Sequence, residues 1–154
     1  MKPLDYGAKT YNDGMAFEKR AARYFWNQGF TCQAPDRIIT LTNGKHIVLE
    51  DKYKKRYFNW KGKDYITVHS QQIDLRLKID KELPVLIVTG NSTDVKNMKC
   101  AWLADLISSK KCIRFTGGYQ KFGWDQPHVG LPVEEFKPLI NFNLYSYGKT
   151  KQGN

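Results

Sequence analysis

The stretch that most constrains this chain runs from Arg37 to Tyr53. Arg37-Ile38-Ile39-Thr40-Leu41 is rich in β-branched residues, Thr42-Asn43-Gly44-Lys45 holds an Asn-Gly pair, and His46-Ile47-Val48-Leu49-Glu50-Asp51-Lys52-Tyr53 returns to strand formers. Asn-Gly between two such runs predicts a β-hairpin with a type I′ turn, which needs positive φ at both central residues. Side chains alternate faces along a strand, so Glu50 and Lys52 share one face while Leu49, Asp51 and Tyr53 take the other. A hairpin also sets the start of its first strand beside the end of its second. Asp36, just after Pro35, is therefore expected close to Glu50 and Lys52, although thirteen residues separate it from Glu50.

Other elements are read around this frame. Residues 1–13 are polar and Gly-interrupted, the pattern of an irregular arm. Met15, Phe17, Ala21, Ala22, Tyr24, Phe25 and Trp26 then recur at near-helical spacing, with Asp13 as an N-cap and Gly29 as a stop. Phe30 to Ala34 reads as an extended edge, and 53–65 as a basic, aromatic, turn-prone loop. From Ser70 to Glu82 the alternation of Ile73, Leu75, Leu77 and Ile79 suits a strand, whereas the Gln, Leu, Arg, Lys and Glu content suits a helix capped by Ser70. The helix is favoured, because Pro84-Val85-Leu86-Ile87-Val88 follows as a buried strand. Strand and helix both remain open for 94–109. Thr116 to Pro132 reads as a long loop, Phe136 to Tyr147 as a closing segment, and 149–154 as a frayed tail. No repeat or linker divides the 154 residues, which is the length of one domain with its own core.

Composition matters mainly through charge. Twenty-five Lys and Arg against fifteen Asp and Glu give a net charge of +10, a field that attracts polyanions such as nucleic acid. No apolar run is long enough to span a bilayer, and the first residues lack a signal peptide's apolar stretch, so no membrane partner and a cytoplasmic, DNA-associated location are expected. Cys32, Cys100 and Cys112 have neither zinc-site spacing nor disulfide density, and read as reduced, mostly buried thiols.

Two carboxylates and an ammonium converging at one end of a hairpin suit phosphodiester hydrolysis. Hard oxygen ligands hold Mg²⁺, which polarises a phosphate and lowers the pKa of an attacking water. A lysine beside it orients that water or neutralises charge developing on the phosphorane. Pro35-Asp36, the thirteen-residue gap and Glu50-Asp51-Lys52 together resemble the PD-(D/E)xK nuclease signature in its literal form. That superfamily includes restriction enzymes, archaeal-type Holliday junction resolvases, phage and repair nucleases and some homing endonucleases. Many members carry a glutamate on a helix before the hairpin, where Glu18 stands. Many have a helix and strand after the lysine, sometimes with a glutamine near the helix start, where Gln71 or Gln72 stands. Gln72-Ile73-Asp74-Leu75 through Val88 is similar to that part of junction resolvases.

The resemblance covers about 13–90, leaving 91–148 as a C-terminal elaboration. It implies an α/β restriction-endonuclease-like core, a mixed sheet flanked by helices. It further implies Asp36, Glu50 and Glu18 around Mg²⁺ (Mn²⁺ as substitute), Lys52 by the attacking water, Gln72 in support, a 5′-phosphate product, and often a homodimer or higher homo-oligomer. Both site-specific cleavage and junction resolution stay open.

Plainer readings exist for each residue. Asp36 after proline also suits a turn, Glu50 and Lys52 an exposed ion pair, Glu18 a solvated helix position, and Gln71 and Gln72 ordinary helix surface. Asp51 is expected to face away from the metal and His46 to be structural, while His69 and His128, which lack ligand-spaced partners, are assigned no role. The segment Lys52–Lys63 packs six basic and four aromatic residues into twelve positions. Cations on phosphates with aromatics on sugars or bases are the usual DNA contacts, which marks Lys54, Lys55, Arg56, Tyr57, Trp60, Lys61 and Lys63 as candidates. The loop Gly117–Trp124 is a further candidate contact or dimer surface. The rival functions are a non-catalytic DNA- or RNA-binding module with a structural acidic cluster, and an RNA-directed enzyme.

Overall fold

A computed structural model of the chain describes residues 3–33, 37–116 and 126–147, with side chains from Asn12 onward except that of Gln33. The first element is α1, Pro3–Asn27. Its Phe17, Ala21 and Phe25, four residues apart, are fully buried. The helix therefore replaces the expected N-terminal arm, and Asp13 lies within it rather than capping it. Proline suits a first helical position, and Gly7 and Gly14 cost only about 1 kcal/mol each relative to alanine. That is too little to interrupt a helix anchored by its buried stripe. At the other end Gly29 takes φ 89°. The N–H of Phe30 donates to Phe25 O at 3.1 Å and that of Gly29 to Trp26 O at 3.0 Å, a Schellman stop at the expected glycine.

Six strands form a mixed sheet: β1 (Thr31–Gln33), β2 (Ile38–Thr40), β3 (His46–Tyr53), β6 (Val85–Gly90), β7 (Lys99–Trp102) and β10 (Lys137–Pro138), in that spatial order. Only β3 and β6 run parallel. The β2–β3 hairpin forms as expected, with Ile38 opposite Val48 and Thr40 opposite His46. Its turn differs from expectation. Leu41 N–H bonds Lys45 O at 2.8 Å and Gly44 N–H bonds Leu41 O at 2.9 Å, and only Gly44, at φ 85°, is left-handed. This is a three-residue loop rather than a type I′ turn, with the Asn43 side chain accepting from Lys45 N–H at 3.0 Å.

The connection from β3 to β6 carries a second hairpin and a helix. β4 (Phe58–Trp60) pairs with β5 (Lys63–His69) in the segment expected to be a loop. Here Lys61 and Gly62 both have positive φ (51° and 84°), so the tight two-residue turn is at Lys-Gly. α2 (Ser70–Asp80) settles the ambiguous segment as a helix, with Ile73 buried and Leu75 exposed. His69, not Ser70, is its N-cap, without a side-chain cap bond. β7 leads into α3 (Leu103–Ser108), so 94–109 holds both a strand and a helix. β8 (Ile113–Phe115) and β9 (His128–Pro132) complete a four-stranded antiparallel sheet in the order β4-β5-β9-β8. β9, expected as loop, is buried throughout. Residues 117–125, including the whole of the second candidate contact loop, lie outside the described residues.

The chain is thus α/β, with α1 on one face of the mixed sheet and α2, α3 and the second sheet on the other. One core joins Phe17, Ala21 and Phe25 to Ile47, Leu49, Leu86, Val88, Leu139 and Leu144. The other joins Val48 and Ile87 to Ile66, Ile73, Leu103, Leu106, Val129 and Leu131. Residues 136–147 do close the fold through Leu139 and Leu144. Among the described residues, no helix is long and apolar enough to cross a membrane.

Candidate active site

β3 changes character along its length. Ile47, Val48 and Leu49 are buried between the two cores, whereas Glu50 to Tyr53 are half-buried. The strand stays regular because β6 supports it to the end: Thr89 Oγ1 donates to Lys52 O at 2.7 Å, and Lys54 N–H to Gly90 O at 2.9 Å. Period-two alternation then places Glu50 and Lys52 on the α2 side and Asp51 on the α1 side, as the sequence implied.

On the α2 side, Lys52 Nζ stands 3.0 Å from Glu50 Oε1 and donates to Gln72 Oε1 at 2.9 Å. Gln72 is in the first turn of α2, the slot expected for it. One turn further on, Arg76 places Nε 2.8 Å and Nη2 2.7 Å from Glu50 Oε2. Each carboxylate oxygen of Glu50 therefore meets a cation.

On the α1 side, the Asp51 carboxylate is in contact with the Arg37 guanidinium. Arg37 also lies 3.7 Å from Glu18 Oε2 and donates to Glu18 O at 3.2 Å. Glu18 thus approaches the cleft through Arg37, on the opposite side of β3 from the Lys52–Gln72 contact. The side chain of Asp51 is 3% exposed, and neither of its oxygens, nor Arg37 Nε, is aligned for a hydrogen bond. Burial pushes the Asp51 pKa from 3.8 up to about 7, Arg37 opposing and the Glu18 and Glu50 charges adding. Asp36 lies outside the described residues.

A cleft of about 590 Å³ runs beside β3, with Glu18, Arg37, Glu50, Asp51, Arg76 and Glu82 as its charged lining. Its donors suit a hard divalent cation in type, since they are carboxylate oxygens. Asp51, buried against the Arg37 guanidinium, adds a further carboxylate at the cleft wall. They do not yet suit one in number: among the described residues, no three His, Cys, Asp or Glu side chains converge as a ligand set. Sequence reasoning missed Arg37 and Arg76 and set Asp51 aside. The Arg37–Glu18 and Arg76–Glu50 contacts cross 19 and 26 positions, beyond any local pattern.

The residues expected to contact DNA divide into two groups. Lys55, Arg56, Lys61 and Lys63 are exposed. Lys63 pairs with Glu134 at 3.4 Å, and Lys61 lies 5.8 Å over the Trp60 ring. Trp60 stacks with Phe58 at 6.1 Å and meets the edge of Phe115 at 5.3 Å, while Tyr57 packs on the second core. Lys54 is half-buried, and desolvation with the nearby Lys52 charge lowers its pKa. His69 and His128 face each other across β5 and β9 with ring centroids 4.4 Å apart, a proximity that their spacing in sequence hid. Cys32, Cys100 and Cys112 are free thiols, Cys100 buried and the others half-buried.

Comparison with protein-family models, with curated proteins and with solved structures yields no match.

Proposed function

We propose that this chain is a metal-dependent endodeoxyribonuclease of the PD-(D/E)xK type, with a restriction-endonuclease-like core. The observation that carries this reading is the join between β3 and α2: Glu50 and Lys52 side by side at 3.0 Å, with Gln72 fixing the lysine at 2.9 Å. An ordinary surface ion pair needs no third group from a separate helix. Such orientation by a neighbouring side chain is what preorganises a catalytic ammonium.

Glu50, with Asp36, would hold Mg²⁺ or Mn²⁺, joined by Glu18 only once that side chain leaves Arg37, and the ion would supply Lewis-acid polarisation of the phosphate and a more acidic water. The chain's own groups do the rest. Lys52 Nζ holds the attacking water in line with the scissile phosphorus and offsets charge growing on its oxygens. Gln72 keeps that ammonium from swinging into solvent. Holding the ion would draw Glu50 Oε2 away from Arg76, whose guanidinium would then be placed to grip a phosphate oxygen. Exposed Lys55, Arg56 and Lys61 supply further phosphate contacts, and a homo-oligomer would place two such sites on two strands.

The test is incubation of wild type, Lys52→Ala and Glu50→Gln with supercoiled plasmid and with a four-way junction, each in Mg²⁺ or EDTA. Cutting by wild type in Mg²⁺ alone supports the reading, and the preferred substrate separates site-specific from junction-selective enzymes. Binding without cutting of either substrate, unchanged in both variants, would favour the second reading, a DNA-binding module. The observation on that side is that Glu50 is already satisfied by two cations.

A further inference from the structure

The outer face of α1 carries a stripe that the site at β3 does not use. Met15, Lys19, Ala22, Arg23 and Trp26 follow helical spacing on the side opposite Phe17, Ala21 and Phe25. Lys19, Ala22, Arg23, Trp26 and Asn27 line a shallow depression. Trp26 is 58% exposed and Met15 39%. Most tryptophans are largely buried, so one held open next to cations is informative. Lys19, Arg20 and Arg23 are exposed and form no ion pair among the described residues. The stripe itself has no carboxylate. Glu18 is turned about a quarter of a circle away, towards Arg37 and the cleft.

We infer that this face is a sequence-independent docking surface for the DNA backbone, Lys19 and Arg23 meeting phosphates and Trp26 packing on a deoxyribose. Charge complementarity selects the occupant: an unpaired cationic stripe on a chain of net charge +10 suits a polyanion. The spacing suits it too. Lys19 and Arg23 are one helical turn apart, about 6 Å, close to the separation of successive phosphates on one strand. Trp60 and Tyr57, the aromatics expected to serve this role, are packed against other rings or the core, whereas Trp26 is open to solvent. The surface deepens the nuclease reading by adding a contact on the helix whose Glu18 lines the cleft, and it rests on DNA being the substrate.

The experiment measures affinity for a fluorescent 30-base-pair duplex by anisotropy between 50 and 300 mM salt in EDTA. It compares wild type, Lys19→Gln/Arg23→Gln, Lys19→Glu/Arg23→Glu and Trp26→Ala, each shown folded by circular dichroism. Losing two phosphate contacts should lower the slope of log affinity against log salt by about 1.8. Affinity at 150 mM salt should fall at least tenfold in the charge-reversed variant and less in the glutamine variant. Trp26→Ala should weaken binding several-fold with the slope unchanged. Wild-type slope and affinity in all variants would overturn the proposal. So would variants that alter self-association in sedimentation but not DNA binding, since the stripe would then be covered by a second copy. Plasmid cutting in Mg²⁺ separates the two readings. A wild type that never cuts, with α1 variants that lose affinity, removes the nuclease and keeps the docking surface. Cutting with unchanged affinity in those variants does the reverse.

Discussion

Asp51→Asn is the sharpest test of the arrangement on the α1 side of β3. The buried carboxyl has its pKa raised from 3.8 to about 7, so the folded chain holds a proton that the unfolded chain has released. Ionisation therefore opposes folding, and the cost grows as pH rises from about 4 towards 7 and is constant above it. At about 1.4 kcal/mol per pKa unit, it is about 2 kcal/mol at pH 5 and about 4 kcal/mol at pH 7. Asparagine keeps the shape and has no proton to lose. It also leaves Arg37 facing a neutral amide, a feature of the variant that does not change with pH because guanidinium does not titrate over this range. The difference in unfolding free energy, variant minus wild type, should rise by about 2 kcal/mol between pH 5 and pH 7 in favour of the variant. It should then level off by pH 9. Urea unfolding in EDTA at pH 5, 6, 7, 8 and 9 measures this directly, and taking the difference removes the titration of all other groups. A difference independent of pH would show that Asp51 ionises freely, through water reaching it or a tighter bond to Arg37.

Two further outcomes follow from the geometry. Arg76→Ala releases Glu50 Oε2 from contacts at 2.8 and 2.7 Å. It should cost about 1 kcal/mol of stability while raising Mn²⁺ affinity several-fold by titration calorimetry, and unchanged affinity would mean that the guanidinium does not compete for the carboxylate. Gly90→Ala would put a Cβ 3.2 Å from the Phe17 ring and 3.3 Å from Asn97 O. A destabilisation of about 1–3 kcal/mol is expected in urea unfolding, and an unchanged midpoint would show that α1 yields at that contact.

What the sequence made legible was local. The β2–β3 hairpin and the shared face of Glu50 and Lys52 follow from a period of two, and the end of α1 at Gly29 from one conformational demand. Gln72 was marked, with Gln71 as the alternative, only by the resemblance, and its contact with Lys52 depends on where α2 packs. The rest depended on tertiary pairing. His128-Val129-Gly130-Leu131-Pro132 looks like loop because glycine and proline are poor strand formers, yet β5 and β8 flank it on both sides. Pro132 is tolerated because β8 pairs only as far as Gly130, which leaves Pro132 beside β5 alone, an edge position. Lys61-Gly62 lacks the asparagine that advertises a tight turn, although its backbone adopts one. Asp51 was set aside because alternation sends it away from Glu50. Alternation says nothing about α1 burying it against Arg37.

The cleft and the chain have opposite electrical character. The protein carries +10, but the charged lining of the cleft beside β3 is four carboxylates and two guanidinium groups. On the proposed chemistry, DNA drawn in by the outer surface would meet that surplus at the last step, offset in part by Lys52 at 3.0 Å from Glu50 and by the proton that Asp51 holds up to about pH 7. A divalent cation, on the same proposal, would be drawn to that acidic interior and would cancel the surplus. The proposed chemistry therefore carries an order of arrival, ion before phosphate, written into where the charges lie. Such a site would act as a lock on its own reactivity, holding DNA at the rim until the counter-charge has entered.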